Sequence, residues 1–383
     1  MQASSSIWSG RYMALLLATF AYFLTMGIML PILPVHVKVA LHGGGREMGL
    51  VIGAFGFSAL LFRPLAGYLG DRFGRRPIAV GGAFIVALSV FMYSQCTTVA
   101  TLSVARFITG IGEAFVFVAV LSMISDIIAP QGRGRAFNFF TIALYAGMSV
   151  GPLAGEFLYQ QYFTRYVWLF GAATAASAGA IFLLLGETNA NCGGRPRIRL
   201  IHPAALRPGL ILIASVFGLA GFNAFVPLYA KMLHLSGSAL LFAVFACALI
   251  ATRILGAGLP ERLGNETMTK IALACSAGGL VLIGLSNSLP MVLAATLVFS
   301  VGQAFAFPVL TAIAVAKAGP SDRAAVLATF SAFLDAGFCF SPMILGLIAD
   351  HVRLETIFFI CAAVSMAGLI GIFRAAPAGV VAH

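Results

Sequence analysis

The chain has 383 residues, of which 61% are apolar and only 9% are charged. A soluble domain has about a quarter of its residues charged, so this composition excludes a soluble enzyme and a soluble nucleic-acid-binding protein. The formal net charge is +11. A membrane-spanning helix takes about 20 residues, so the length suits twelve spans joined by short loops.

Two series of six apolar runs flank the most polar stretch of the chain, residues 186–207. The first series predicts spans at residues 12–34, 48–69, 78–95, 99–127, 135–160 and 166–185. The second predicts spans at residues 208–230, 238–259, 269–286, 289–316, 324–349 and 355–374. We therefore predict an all-helical integral membrane protein. Its twelve transmembrane helices form two pseudo-symmetric bundles, residues 1–185 and 208–383, joined by a linker loop at 186–207.

The positive charges are distributed unequally between the two sides of the predicted membrane. Fifteen Lys and Arg residues fall in the terminal segments, the linker and the loops of one side, and five fall in the alternate loops. Cytoplasmic loops carry such an excess, so both termini and the linker are expected in the cytoplasm, with the protein in the plasma membrane. This topology accounts for the net charge, so lipid is the expected partner and nucleic acid is not. We expect a monomer.

The two halves repeat each other at a constant offset along the chain. The segment from Arg63 to Gly74 matches the segment from Arg253 to Gly264. At the same offset Glu113 aligns with Gln303, and Tyr145 aligns with Asp335. Because each half has six spans, both halves begin on the same side of the membrane, as in one large class of transporters.

Three motifs resemble those of the major facilitator superfamily. Between the second and third spans lie Gly67, Asp71, Arg72, Gly74, Arg75 and Arg76, in the superfamily's pattern G-x-x-x-D-R-x-G-R-[RK]. The fourth span begins its motif at Arg106 and resembles that of proton-coupled members. The fifth span carries Gly147, Gly151, Pro152 and Gly155, similar to the G-x-x-x-G-P-x-x-G motif of drug:proton antiporters.

The resemblance implies roles for two of these motifs. The loop motif is expected to form a charge-paired latch that holds an outward-facing state, with Asp126 near its arginines. The alternative is that the arginines only enforce topology. The span-five motif points to export, and its glycines, spaced by four residues, make a smooth stripe against which another helix packs.

Charged residues in mid-membrane are the strongest functional candidates, because each costs about 2.5–3.5 kcal/mol to insert. Glu113 lies near the middle of span four and Asp335 near the middle of span eleven. We predict that these carboxylates carry the coupling proton, assisted by Arg106, two helical turns from Glu113. The alternatives are a static ion pair for Glu113 and a helix–helix hydrogen bond for Asp335. An ion gradient then drives the protein, and no cofactor is expected.

In the superfamily, spans one, four, seven and ten line a central cavity. Asn223 and Gln303 are therefore predicted to bind substrate, and Phe115 and Phe305 are further cavity candidates. Arg63 and Arg253 are expected to snorkel to the cytoplasmic interface. The six cysteines are scattered without metal-ligand spacing, so no metal site is predicted.

The function predicted is proton-coupled efflux of a small apolar or cationic compound by alternating access. One alternative is proton-coupled export or import of a sugar, organic acid, metabolite or metal chelator. Another is a non-transporting membrane sensor. An enzyme is not expected, because the Ser149 pattern G-x-S-x-G lies mid-helix, whereas a hydrolase needs it at a strand-to-helix turn.

Overall fold

The computed structural model describes residues 9–129, 132–188, 202–316 and 323–373. Both termini and most of the predicted linker, residues 189–201, lie outside the described residues. The first half contains α1 (Gly10–Val39), α2 (Gly45–Phe73), α3 (Arg75–Tyr93), α4 (Val99–Ile127), α5 (Arg133–Gln161) and α6 (Thr164–Leu184). The second half contains α7 (Pro203–Met232), α8 (Ala239–Leu255), α9 (Leu259–Leu263), α10 (Asn265–Leu285), α11 (Leu289–Ala316), α12 (Arg323–Ala349) and α13 (Leu354–Phe373).

Within the described ranges, eleven helices are long and apolar enough to cross a membrane. The twelfth span, α8, has 17 residues and ends earlier than the predicted boundary at residue 259. The chain turns at Gly256, the C-cap of α8, and resumes in the five-residue helix α9. The predicted fold class, two pseudo-symmetric bundles of membrane helices, is confirmed.

The helix packing repeats between the two halves. In the first half α1 packs on α5 and α6, α3 packs on α4 and α6, and α2 packs on α4. In the second half α7 packs on α12 and α13, α10 packs on α11 and α13, and α8 packs on α11. Each pair in the second half is the counterpart of a pair in the first, as the sequence repeat predicts.

Two glycines make equivalent sharp turns in the two halves. Gly74 joins α2 to α3 with a φ of 104°, and Gly264 joins α9 to α10 with a φ of 80°. A side chain rarely adopts a positive φ, so glycine is required at both positions. The two glycines are repeat mates, since the alignment of Arg63 with Arg253 also aligns them.

The halves contact each other mainly through α2 with α12 and α5 with α8. We call the end of the molecule where α2 begins the Gly44 end, and the opposite end, where α2 meets α3, the Gly74 end. Near the Gly44 end, α2 is lined with glycines where it meets α12. A Cβ on Gly49 would meet the backbone of Gly346 at 3.1 Å, and one on Gly56 would meet the backbone of Cys339 at 2.7 Å. The backbones of the two halves therefore approach closely at this end.

Candidate functional site

A cavity of about 330 Å³ lies between the two halves. This volume is within the range of about 300–1,000 Å³ found for small-molecule sites. Its walls come from eight helices, α1, α2, α4 and α5 of the first half and α7, α8, α11 and α12 of the second. Most lining side chains are apolar or aromatic. Among the described residues, the charged members of the lining are Arg63, Arg106, Glu113, Arg253 and Asp335.

Arg63 lies between two carboxylates that belong to opposite halves. Its Nε is 2.5 Å from Oδ2 of Asp335 on α12, and its Nη2 is 3.8 Å from Oε1 of Glu113 on α4. All three side chains are nearly buried, with exposed fractions of 12%, 10% and 6% for Arg63, Glu113 and Asp335. The other Glu113 oxygen, Oε2, is buried and accepts no hydrogen bond from the described residues. We call these three residues the central triad.

Arg63 cannot snorkel to the Gly74 end of α2, whereas the same prediction for Arg253, two residues before the end of α8, stays a prediction. Arg63 lies ten residues before the end of α2, about 15 Å along the helix axis, which is beyond the reach of its side chain. Both arginines line the cavity. The position of Arg63 within the second apolar run can be read from the sequence. Its two partners cannot, because they depend on how α2, α4 and α12 pack.

The second half contains the counterpart of the contact between Arg63 and Asp335. Arg253 aligns with Arg63, and Tyr145 aligns with Asp335. The Arg253 guanidinium carbon lies 5.2 Å from the centre of the Tyr145 ring, and its Nε donates a hydrogen bond to the Ala304 carbonyl. An arginine contact thus joins the two halves at each of two equivalent positions. The partner of Arg63 is an acid, and the partner of Arg253 is an aromatic ring.

Arg106 does not pair with Glu113, although both belong to α4. Its guanidinium lies over the Phe55 ring at 4.4 Å, and its Nη1 is 3.5 Å from the Tyr93 hydroxyl. Its Nε is buried and has no hydrogen-bond partner among the described residues. Arg106 therefore brings an unneutralised charge with an unused donor to the cavity wall.

The predicted polar and aromatic cavity residues differ in their positions. Asn223 and Gln303 both line the cavity, and Gln303 also donates hydrogen bonds to the Ser215 carbonyl and the Ser276 hydroxyl. Phe115 and Phe305 do not line the cavity. The phenylalanines two residues further along each helix, Phe117 and Phe307, line it instead. Two residues are about half a helical turn, so the face of the helix decides which ring meets the cavity.

The loop motif joins the helix ends of the first half at the Gly74 end. Arg75 is 2.5 Å from Asp71 and 3.7 Å from Asp126 at the end of α4. The Glu187 carboxylate accepts hydrogen bonds from the backbone amides of Arg75 and Arg76, and so caps α3. Arg72 donates to the Tyr68 hydroxyl, and a Cβ on Gly67 would meet nothing within 4 Å.

The glycine stripe of α5 packs against α1. A Cβ on Gly147 would meet the Phe20 carbonyl at 2.7 Å, and one on Gly151 would meet the Gly27 backbone at 2.6 Å. Gly155 faces the Ile28 carbonyl at a similar distance, and Pro152 lies inside the helix. The stripe thus allows two helices of one half to approach closely, as small residues do in membranes.

The family model of the Major Facilitator Superfamily matches residues 15–286 and 270–381 of the chain. An uncharacterised transporter of this superfamily from Salmonella typhimurium is 27% identical over 378 residues, covering 96% of each chain. Multidrug resistance protein 2 of Bacillus subtilis is 26% identical over 360 residues, covering 88% of each chain.

Solved structures of transporters share the fold. The nucleoside transporter NupG superposes with a TM-score of 0.77 at 16% identity, covering 96% of this chain and 99% of that one. A bacterial homologue of the human lysosomal transporter Spinster, in an inward-facing and occupied conformation, superposes with a TM-score of 0.80 at 15% identity, covering 97% of both chains. At these identities the likeness shows the fold alone.

Proposed function

Because the chain belongs to the Major Facilitator Superfamily and is a membrane transporter, not an enzyme, we propose that it is a proton-coupled exporter of small, mainly apolar compounds. The observation that carries the proton coupling is the central triad, in which Arg63 faces one carboxylate from each half. A buried charge is strongly unfavourable unless it is paired. With both acids ionised, the triad holds one more negative charge than Arg63 neutralises, so one proton makes it neutral.

The position of that proton decides how firmly the halves are joined. When Glu113 is protonated, Arg63 pairs with Asp335, and this ion pair crosses from α2 to α12. When Asp335 is protonated, Arg63 pairs within its own half with Glu113. Protonation of Asp335 therefore weakens a contact between the halves, which links proton binding to the change of access.

The cavity favours a neutral apolar substrate over a cationic one. Three arginines and two acids line it, so a cation meets an excess of positive charge unless it displaces Arg63. The aromatic rings of Phe23, Phe55, Phe117 and Phe245 offer large apolar contact areas. Few side chains could satisfy the many hydroxyl groups of a sugar.

An organic acid is the second candidate substrate. Arg106 is the observation that favours it, because its charge is not paired with an acid in the described part of the chain and its Nε is an unused donor. A carboxylate on the substrate would fill this position, while its apolar part would contact the surrounding rings.

The direction of transport and the orientation of the protein in the membrane are each supported by a different observation. Relatives named multidrug resistance proteins and the glycine–proline motif of α5 favour export. The excess of Lys and Arg favours a cytoplasmic Gly74 end, with both termini in the cytoplasm and the protein in the plasma membrane. In that orientation the structure, whose halves meet at the Gly44 end, is closed to the outside.

The test is a panel of compounds in everted membrane vesicles with a dye that reports the pH gradient. We expect a neutral aromatic compound to dissipate the gradient in wild-type vesicles. Glu113→Gln and Asp335→Asn should abolish this response. Glu266→Gln is the matched control, because it removes an acid that pairs with Lys270 on the surface of α10. A wild-type response in both triad variants would contradict proton coupling at this site.

A matched set of probes separates the substrate classes. Three compounds of similar size, one neutral, one anionic and one cationic, are compared for transport by wild type and Arg106→Gln. The neutral probe should be transported by both proteins. If the organic acid is the substrate, the anionic probe should be preferred and should lose its preference in Arg106→Gln. Preference for the cationic probe would contradict both candidates.

A further inference from the structure

At the Gly44 end, an acid of the second half caps a helix of the first. Asp350 follows directly after α12. Its Oδ1 accepts a hydrogen bond of 2.6 Å from the Gly45 amide, and its Oδ2 accepts one of 3.1 Å from the Arg46 amide. These are first-turn amides of α2, which have no partner inside their own helix. The negative charge also interacts favourably with the positive end of the helix dipole.

An acid of the first half caps a helix of the second in the same way. Glu156 lies near the end of α5. Its Oε1 accepts hydrogen bonds from the Ser238 amide at 2.6 Å and the Ser238 hydroxyl at 2.8 Å. Its Oε2 accepts one from the Ala239 amide at 2.9 Å. These amides begin α8, so Glu156 stabilises the start of that helix.

The helices that make the two contacts are related by the repeat. α8 corresponds to α2, and α12 corresponds to α5, so each half supplies one acid and one helix start. The two acids are not repeat mates, because the offset that aligns Arg63 with Arg253 aligns Glu156 with Gly346, about one helical turn before Asp350. The motifs of the superfamily noted above include neither acid. We call the two contacts the paired clasps.

We propose that Glu156 and Asp350 are positioning residues for transport, which hold the Gly44 end closed and set the equilibrium between the two access states. The proposal rests on the alternating access of the proposed function. All five hydrogen bonds of the paired clasps cross between the halves, and none holds one half together. Opening the Gly44 end therefore breaks all five.

The test is the distance between two spin labels at the Gly44 end, measured by double electron–electron resonance. Val39→Cys at the end of α1 and Lys231→Cys near the end of α7 are exposed sites in opposite halves. They are placed in a background whose six native cysteines are replaced. The labels are read in the full chain in lipid nanodiscs at pH 7.5. Closed and open populations should appear as a short and a long distance.

Loss of either charge should shift the populations towards the open state. Charge-assisted hydrogen bonds are about twice as strong as neutral ones, so we expect Glu156→Gln and Asp350→Asn each to raise the open-to-closed ratio about tenfold. The paired clasps lie on separate helix pairs, so their effects should add, and the double variant should shift the ratio about a hundredfold. Glu156→Asp keeps the charge and should shift the ratio less than Glu156→Gln.

Glu47→Gln is the matched control. Glu47 lies in the first turn of α2 and accepts a hydrogen bond from the Gly44 amide, so it caps the same helix from within its own half. It should leave the ratio unchanged. The paired clasps are refuted if the double variant shows the wild-type ratio, or if Glu47→Gln shifts it as much as Asp350→Asn.

The failure of this proposal is distinguishable from failure of the proposed function. An unchanged ratio together with proton-coupled transport in vesicles overturns the paired clasps and leaves the transport proposal standing. A shifted ratio without any proton-coupled transport supports the paired clasps and overturns the proposal that protons drive transport. The melting temperature of each variant, measured on the same sample, shows that the labelled protein is folded.

Discussion

Replacing Arg63 tests the charge balance of the central triad. Arg63→Gln removes the cation and leaves Glu113 and Asp335 buried without their partner, with exposed fractions of 10% and 6%. Breaking a buried pair by removing one partner costs about 3–5 kcal/mol, because an uncompensated charge remains. We therefore expect the free energy of unfolding of Arg63→Gln to fall by an amount in this range.

Removing the acids as well should restore most of that stability. The triple variant Arg63→Gln, Glu113→Gln, Asp335→Asn has no charge left in the triad, so the desolvation cost disappears. It still lacks the contact of the Arg63 guanidinium with the Phe117 ring, 4.5 Å away. Such a contact contributes about 0.5–2 kcal/mol, so recovery should stop short of wild type by that amount.

The assay is thermal unfolding of the purified protein in detergent at pH 7.5, with all variants compared under one protocol. Arg72→Gln is the control, because it makes the same substitution on α2 at an exposed arginine and should cost less than about 1 kcal/mol, as surface charges do. The reasoning is refuted if Arg63→Gln has the same melting temperature as the wild type, or if the triple variant is no more stable than Arg63→Gln.

Three further predictions concern topology, the loop motif and the paired clasps. With a single cysteine left in each protein, an impermeant thiol reagent applied to intact cells should label Arg46→Cys and leave Cys192, in the predicted linker, unlabelled. The reverse pattern contradicts the orientation. Asp71→Asn should abolish transport, because it removes the negative charge that pairs with Arg75 at the helix ends. The variant should still insert into the membrane and melt near the wild-type temperature. Transport at the wild-type rate would mean that the motif only sets topology. Hydrogen bonds from two backbone amides hold the pKa of Asp350 below its ordinary value of 3.8. Its contribution to closure is therefore full above that value and lost only as the pH falls below it, so the effect of Asp350→Asn on the spin-label ratio should be equal at pH 5.5 and pH 8.

The sequence predicts the fold well because the signal is repeated. Membrane insertion forces apolar runs of defined length, and the constant offset that aligns Arg63 with Arg253 relates the runs of one half to those of the other. The early end of α8 is not predictable in this way, because Gly256, Ala257 and Gly258 are themselves compatible with an apolar span. The turn at Gly256 is a property of the folded chain, which composition does not report.

The candidate site is only partly predictable. Glu113 and Asp335 are visible in the sequence as charges in apolar runs, because their cost of insertion demands a role. For Arg63 the sequence favours a position at the membrane interface. Both Arg63 and its repeat mate Arg253 precede a charged loop, and arginines near such loops usually set the topology of a membrane protein. The partner of each acid depends on helix rotation and on contacts between segments far apart in the chain. Glu156 and Asp350 give no signal, because an acid near a helix end is ordinary until its partner is known.

The central claim, that protons drive transport through the triad, is tested most directly with Asp335→Asn in proteoliposomes. A substrate found in the panel is followed in two modes, exchange of labelled for unlabelled substrate without a gradient, and accumulation driven by a pH gradient. Asp335→Asn leaves Arg63 paired with Glu113, so the protein should bind and exchange substrate while losing gradient-driven accumulation. If the variant accumulates substrate at the wild-type level, the proton does not pass through this residue and the account is contradicted.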